Sequence, residues 1–294
     1  MVYFLGLLVS GLAVGSLYAL IALGFVLIYK ATHIINFATG EFMMIGAYFC
    51  YTFLALAGVP MLPAFLLVMV CAAILGFLVE RAILRHMLGQ PIISIIMVTI
   101  GLSSILMGLA EIIWTSQFKS FPPLFPRAPL NLGVAIVRST LAYGFVISMA
   151  AVGVFALIFK YAKAGVAMRA TAGDQMAAFS MGINVKSMFS LAWALGAIAA
   201  ALGGVVIGNI GGISPALGGV GLKIFPVVIL GGLDSIGGAV LGGLIIGVLE
   251  NLAGGYLDPF FGGGAKEVAP FVFMVLVLLF KPYGLFGKEE IERL

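Results

Sequence analysis

Residues Val2–Tyr29 read VYFLGLLVSGLAVGSLYALIALGFVLIY, an apolar run without a charged side chain. A helix of about 20 such residues spans the hydrocarbon of a bilayer, so this run crosses with length to spare. No Lys or Arg precedes it and it exceeds a signal-peptide core, so it is expected to be retained as a first spanning helix. Further runs of spanning length lie at 38–57, 61–79, 92–115, 140–159, 187–208 and 267–281. Between 222 and 253 one more apolar stretch is cut by Gly231, Gly232, Asp234, Ser235, Gly237 and Gly238. It reads as two short or broken helices meeting inside the protein, for a total of eight or nine membrane segments.

Composition agrees. Of the 294 residues 63% are hydrophobic and 9% charged, against roughly 45–50% and 25% in a soluble domain. No water-soluble fold hides that excess, and its spread along the chain excludes a globular domain with one anchor as well as a disordered chain. The expected fold class is all-α: a polytopic membrane protein with some discontinuous segments, a single domain over 1–294. The 40 glycines suit close helix packing in lipid, and no three-residue glycine period suggests collagen.

Loop charges give an orientation. Placing the loops at 80–91 (Arg81, Arg85) and 160–186 (Lys160, Lys163, Arg169, Lys186) in the cytoplasm puts ten basic residues inside, with Lys30, Lys281, Lys288 and Arg293, and five outside. The positive-inside rule then predicts an external N-terminus and a cytoplasmic C-terminus. The charge of +4 forms no basic face for nucleic acid. The Pro-rich stretch Phe121–Pro129 becomes an external connection between two membrane halves. A weak echo relates them: Asn36 to Glu41 followed by Gly46, and Asp234 to Gly238 followed by Gly242 and Gly243, each a polar pair and glycine opening an apolar helix. Paired interruptions of this kind point to discontinuous helices along a pathway.

Enzyme chemistry lacks an inventory. His33 and His86 have no metal-ligand neighbours in sequence, Cys50 and Cys71 sit inside apolar runs, and no phosphate-binding G-x-x-x-x-G-K-[ST] occurs. If ATP drives the protein, another subunit binds it. Glycine pairs at 11/15, 204/208, 238/242 and 243/247 read as helix-packing motifs, some of them available to a second membrane subunit. Carboxylates at membrane depth are more informative because each is costly there. Glu41 reads as a first-turn charge with Thr39 or Asn36 as cap, Glu111 as reaching water, Asp234 as a cap for the helix starting near Ile236, and Glu250 as a further candidate. No two of these acids share a helical face at i and i+3 or i+4, which argues against ion coupling.

The long hydrophilic loop 160–186 contains a stretch, Thr171 to Met181, that reads as a helix ending at Gly182 and carrying Met176, Phe179 and Met181 among alanines. Such a helix suits either a protein groove or a membrane surface.

Residues 32–48, with Asn36-Phe37-Ala38-Thr39-Gly40-Glu41 and then Gly46-Ala47-Tyr48, resemble the N-F-A-x-G-E-x-x-x-x-G-A-Y signature of LivH-type permeases, the membrane subunits of branched-chain amino acid ABC importers. Met168-Arg169-Ala170 with Asp174, Ala177, Ala178 and Gly182-Ile183 is similar to that family's coupling loop, and Gly231 to Ala239 to its late glycine motif. The resemblance implies a heterodimer with a second, LivM-type permease, two cytoplasmic ATPases that use ATP and Mg, and an external solute-binding protein. It implies no cofactor on this chain, coupling through Arg169, Asp174, Ala177, Ala178 and Gly182, and a pathway near Asn36, Glu41, Asp234 and Ser235. Close relatives move urea, short amides and small carboxylates, so these are alternative solutes. A stand-alone secondary transporter or channel would need a coupled ion or charged pore, and a purely structural subunit would leave 222–253 unexplained.

Overall fold

The computed structural model describes residues 2–87, 89–122, 128–131 and 136–287. Its helices in chain order are α1 (Val2–Thr32), α2 (Thr39–Tyr51), α3 (Met61–Ala82), α4 (Ile92–Trp114), α5 (Ser139–Tyr161), α6 (Lys163–Gly173), α7 (Gln175–Ser180), α8 (Val185–Gly211), α9 (Ile224–Gly231), α10 (Ile236–Tyr256), α11 (Asp258–Phe261) and α12 (Ala265–Phe280). Strand is confined, among the described residues, to a ribbon pairing Leu130–Asn131 with Ile136–Val137. Seven helices are long and apolar enough to cross a membrane: α1, α2 extended by a π turn to Leu56, α3 continued to Met87, α4, α5, α8 and α10. The chain is a polytopic all-α membrane protein.

α1 is apolar on every face, and a helix of that kind belongs in the interior. It packs against α10, α8 and α5, and every residue from Gly15 to Leu27 is buried. Around it α3, α4, α5 and α12 turn Leu66, Ile74, Ile105, Ile112, Leu157 and Leu276 outward, a distribution suited to lipid. Helices from either side of the 121–129 stretch interleave, since α1 packs on α10 and both α2 and α3 on α8. Lys288, Arg293 and residues 123–127 lie outside the described residues.

All four glycine pairs meet this chain itself. A Cβ at Gly15 would stand 2.7 Å from the Gly243 carbonyl oxygen and one at Gly11 2.7 Å from Val248 Cα, so α1 and α10 touch backbone to backbone. Gly208 faces Phe121, while Gly204 abuts Met43, Gly238 abuts Gly231, and Gly242 abuts Val227. Gly15→Leu is therefore expected to destabilise the fold by about 1–3 kcal/mol or more. Gly6→Leu, with nothing within 4 Å of the added Cβ, should change it by less than about 0.5 kcal/mol. Melting of both variants in one detergent checks this, and equal midpoints would refute a tight seam.

As expected, the 222–253 stretch is two helices, the short α9 and then α10, broken at 232–235. Upstream the structure adds a 3-10 turn, Pro215–Lys223, which leads into α9 and forms with it the apolar segment Pro215–Gly231. α10 is one helix of 21 residues. Glycines at 218, 219 and 221 and Pro215 favour the 3-10 path, whereas Gly238, Gly242 and Gly243 sit inside α10 because close packing needs them there. The turn at 232–235 uses Gly232 at φ 98°. Ser235, not Asp234, caps α10, its Oγ accepting from Gly238 N–H at 3.0 Å.

The expected helix Thr171–Met181 is likewise divided. Thr171 to Gly173 end α6, and Asp174, extended at φ −158° and ψ 114°, caps a separate α7 by accepting from Met176 and Ala177 N–H at 2.8 and 2.9 Å. A mid-helix Asp that can bond its own following amides competes with continuation of the helix. The C-terminal expectation holds: Gly182 is left-handed at φ 83°, with Gly182 N–H to Phe179 O at 2.9 Å and Ile183 N–H to Ala178 O at 3.0 Å.

Candidate functional site

Polar side chains collect in four places. Two lie toward the end of the bundle that carries Lys30, where α1, α3, α5 and α9 finish and α4, α8 and α10 begin.

The first begins at Asn36. Residues 33–38 are not helical, and the chain re-enters α2 at Thr39. Neither Asn36 nor Thr39 caps in the expected way: Asn36 Oδ1 accepts from Ala38 N–H at 3.0 Å, the Thr39 hydroxyl donates to Asn36 O at 2.8 Å, and the N-cap position is Ala38. Glu41 is in the first turn of α2, 8% exposed, with Ser103 of α4 a hydrogen-bond neighbour and Gly218 facing its Oε1. Asn36 Nδ2 and Glu41 Oε2 are buried and, among the described residues, without hydrogen-bond partners. Buried polar atoms are ordinarily satisfied, and the Tyr48 and Ser148 hydroxyls, Trp193 Nε1 and Asn209 Nδ2 share this state, but only Glu41 among these residues is an acid. Phe37 stacks on Phe225 at 4.6 Å, tying this re-entry to the start of α9. Glu41 thus faces the 3-10 turn that enters α9, whereas the Gly231–Gly238 turn lies at the other end of α9.

Asp234 and Ser235 belong to a second place. Lys30 donates to the Asp234 carbonyl at 3.0 Å and lies over the Phe159 ring at 5.6 Å. The segment after α12 crosses the end of α9, with Leu285 and Phe286 N–H bonding the carbonyls of Leu230 and Gly231 at 2.7 and 3.2 Å. A cavity of about 600 Å³ opens here, bounded by α1, α6, the 232–235 turn and Tyr283. Arg169 also lines it. Its guanidinium donates to the Phe159 and Lys160 carbonyls at the end of α5 and so clamps α6 back across α5. That role is a helix C-terminal brace. Of the remaining residues implied for coupling, Asp174 caps α7 and Gly182 ends it. Ala177 is exposed, while Ala178 is 4% exposed and faces inward. Met176, Phe179 and Met181 are 77%, 69% and 83% exposed.

Two ionic clusters were not assembled by the sequence reading. Glu80, 2% exposed, receives Arg85 in a two-pronged pair at 3.1 and 2.9 Å and the Ser190 hydroxyl at 2.5 Å, which ties α3 to α8. Glu250 of α10 accepts from Tyr18 of α1 at 2.7 Å and pairs with Lys223 at 2.8 Å, and Lys223 continues to Glu267 of α12 at 2.7 Å. Lys223 joins two acids from different helices. Its partners lie 27 and 44 residues along the chain, beyond any i+4 pattern. Glu111 is exposed at the end of α4, and His86 is exposed. His33 is exposed at φ 54°.

A family model described as the permease component of branched-chain amino acid transport systems matches residues 7–280. The chain is similar to the high-affinity branched-chain amino acid transport system permease protein BraD of Pseudomonas aeruginosa, at 34% identity over 99% of this chain and 98% of the relative. It is similar to the corresponding protein LivH of Escherichia coli K12, at 32% identity over 99% and 98%. A probable branched-chain amino acid transport permease protein LivH of Methanocaldococcus jannaschii is 31% identical over 93% and 90%.

Proposed function

As a member of the branched-chain amino acid transport permease family, this chain is, we propose, the membrane subunit of an ATP-driven importer for branched-chain or other apolar amino acids. The observation that carries the reading is a transport-permease family match over residues 7–280 of a chain built from membrane-length helices. The chain supplies a pathway and no covalent chemistry. ATP and Mg are used by two cytoplasmic ATPase subunits, a LivM-type permease completes the membrane portion, and an external binding protein delivers the solute.

In this reading the Lys30 end is cytoplasmic. The segment 160–186 is the coupling loop, and the exposed apolar face of α7 enters a groove on an ATPase. Arg169 and Asp174 set that helix in place, Ala177 contacts the groove, Ala178 anchors the helix inward, and Gly182 ends it. Closure of the ATPase pair then moves α7 with the α5–α6 corner as one body, and the pathway changes the side to which it opens. Asn36 and Glu41 contact the solute along the route. Their buried, unpartnered polar atoms support this, with Phe37 and Phe42 as apolar walls. Asp234 and Ser235 shape its inner mouth.

The test is uptake into proteoliposomes holding both permeases and the ATPases, supplied with the binding protein. Leucine uptake that needs ATP is expected, and Glu41→Gln should lower it at least tenfold without loss of assembly. Uptake of urea or a short amide in place of leucine would overturn the solute, and solute movement without ATPases would overturn the class.

Orientation has its own test. With Cys50 and Cys71 replaced, a cysteine at exposed Ser120 should react with an impermeant thiol reagent in intact cells, and one at exposed Ser180 only after permeabilisation. The opposite pattern would move the coupling loop outside.

A further inference from the structure

Phe159, near the end of α5, is 6% exposed and is shared by two cations. Lys30 Nζ of α1 lies 5.6 Å from its ring centroid and the Arg169 guanidinium of α6 lies 5.5 Å from it. Both are within the roughly 6 Å over which the negative face of an aromatic ring attracts a cation. Two like charges drawn to one place repel each other, and burial removes much of the solvent that would screen them. A ring in contact with both offsets that repulsion, whereas an aliphatic side chain would only fill the space.

The two cations belong to different parts of the molecule. Arg169 donates to the Phe159 and Lys160 carbonyls, and a Cβ at Gly165 would stand 2.6 Å from the Ile158 carbonyl oxygen, so α6 and the end of α5 form one closely fitted corner. Lys30 donates instead to the Asp234 carbonyl, in the turn between α9 and α10. The ring is thus where the α5–α6 corner meets the side chain that holds the 232–235 turn. Further along, α5 joins α1 in an apolar cluster that includes Leu23, Leu27, Val152 and Phe155, and contact of that kind is non-directional. Resting on the reading above, in which the corner moves with α7, we infer that Phe159 is a positioning residue for transport, its ring carrying the movement of the corner to Lys30 and so to the turn at the inner mouth of the pathway. It touches neither solute nor nucleotide, and its requirement is electrostatic as well as steric.

Fluorination separates the two, because successive fluorines strip negative charge from the ring face while adding little bulk. In proteoliposomes of the complete transporter, mono-, di- and trifluorophenylalanine at position 159 should lower leucine uptake per ATP hydrolysed in steps. Phe159→Leu should lower it by about tenfold. Co-purification of the ATPases and the melting midpoint of the fluorinated series should stay as in the wild type, which a packing role alone would share without the stepwise loss. A second readout needs no solute. With Cys50 and Cys71 replaced, Leu233→Cys, in the wall of the cavity beside the turn, should change its rate of reaction with a thiol reagent by about threefold or more when ATP binds. With trifluorophenylalanine at 159 that response should be lost. Equal uptake per ATP across the fluorinated series, or a Leu233→Cys response to ATP that is the same in all of them, would overturn the role of the ring. Coupling that survives Ala177→Arg would instead sink the reading of α7, and the fluorinated series would still decide the role of Phe159.

Discussion

Ala177→Arg abolishes uptake, at least a hundredfold, while the chain remains inserted and folded. The reason lies in how α7 is held. Asp174 at one end and the Gly182 turn at the other fix a helix of six residues that shows Met176, Phe179 and Met181 to the exterior, and Ala177 shares that exposed surface. A guanidinium forced into an apolar protein contact without a partner costs several kcal/mol, and each 1.4 kcal/mol is tenfold in affinity. Nothing inside this chain needs position 177 to be small, so thermal stability should stay unchanged. Co-purification of the ATPases and ATP-dependent uptake are the measurements, and retention of both would remove α7 from the coupling interface. Ala178→Arg is a poorer probe than the bare sequence suggests, because Ala178 faces inward and its replacement disturbs the loop itself.

Lys223→Met destabilises the protein by about 3–5 kcal/mol, because removing one partner of a buried ion pair leaves the other charge uncompensated. The Glu250 side chain is 2% exposed and that of Lys223 14%, whereas Glu267 is 64% exposed and screened by its surroundings. Tyr18 would remain as the near donor to Glu250, with Lys266 at 4.0 Å. The double variant Lys223→Met with Glu250→Leu should recover to within about 1 kcal/mol of wild type or exceed it, since well-packed apolar replacements are often neutral or stabilising. Unfolding in nanodiscs of the two single variants and the double decides the matter. A loss below about 1 kcal/mol in Lys223→Met would show that the pair does not hold α10 to the 3-10 turn.

Hydropathy located the helices well because lipid demands length and apolarity and little else: 61–79 became Met61–Ala82 and 140–159 became Ser139–Tyr161. What it missed is polar and local. Asp174 looked like a residue within a helix because composition favours continuation, and only its extended backbone reveals a cap. Residues Pro215 to Gly221 fell between the expected segments and were given no structure, although they form the packed 3-10 turn that faces Glu41. Glu41 and Asp234 were legible as costly charges, but their separation to the two ends of α9 depends on tertiary packing. Glu80 drew no notice because Arg81 and Arg85 beside it suggested a solvated helix end, while its own partner Ser190 is 110 residues away.

The glycine seam between α1 and α10 also bears on how the protein is made. α1 leaves the ribosome well before α10, the helix it packs on most, which lies in the last third of the sequence. At about 5–20 residues per second, the roughly 200 residues between them take about 10–40 s to synthesise. During that interval α1 has no seam partner and must wait in lipid or under an insertase. Its seam and the rest of its length up to Tyr29 carry no charge, which makes that wait tolerable, whereas a carboxylate on the seam would not, and the acid of this contact sits on the late-arriving helix, close in sequence to Lys223. Placing Glu250 on α10 instead of α1 thus suits the order of birth as well as the finished fold.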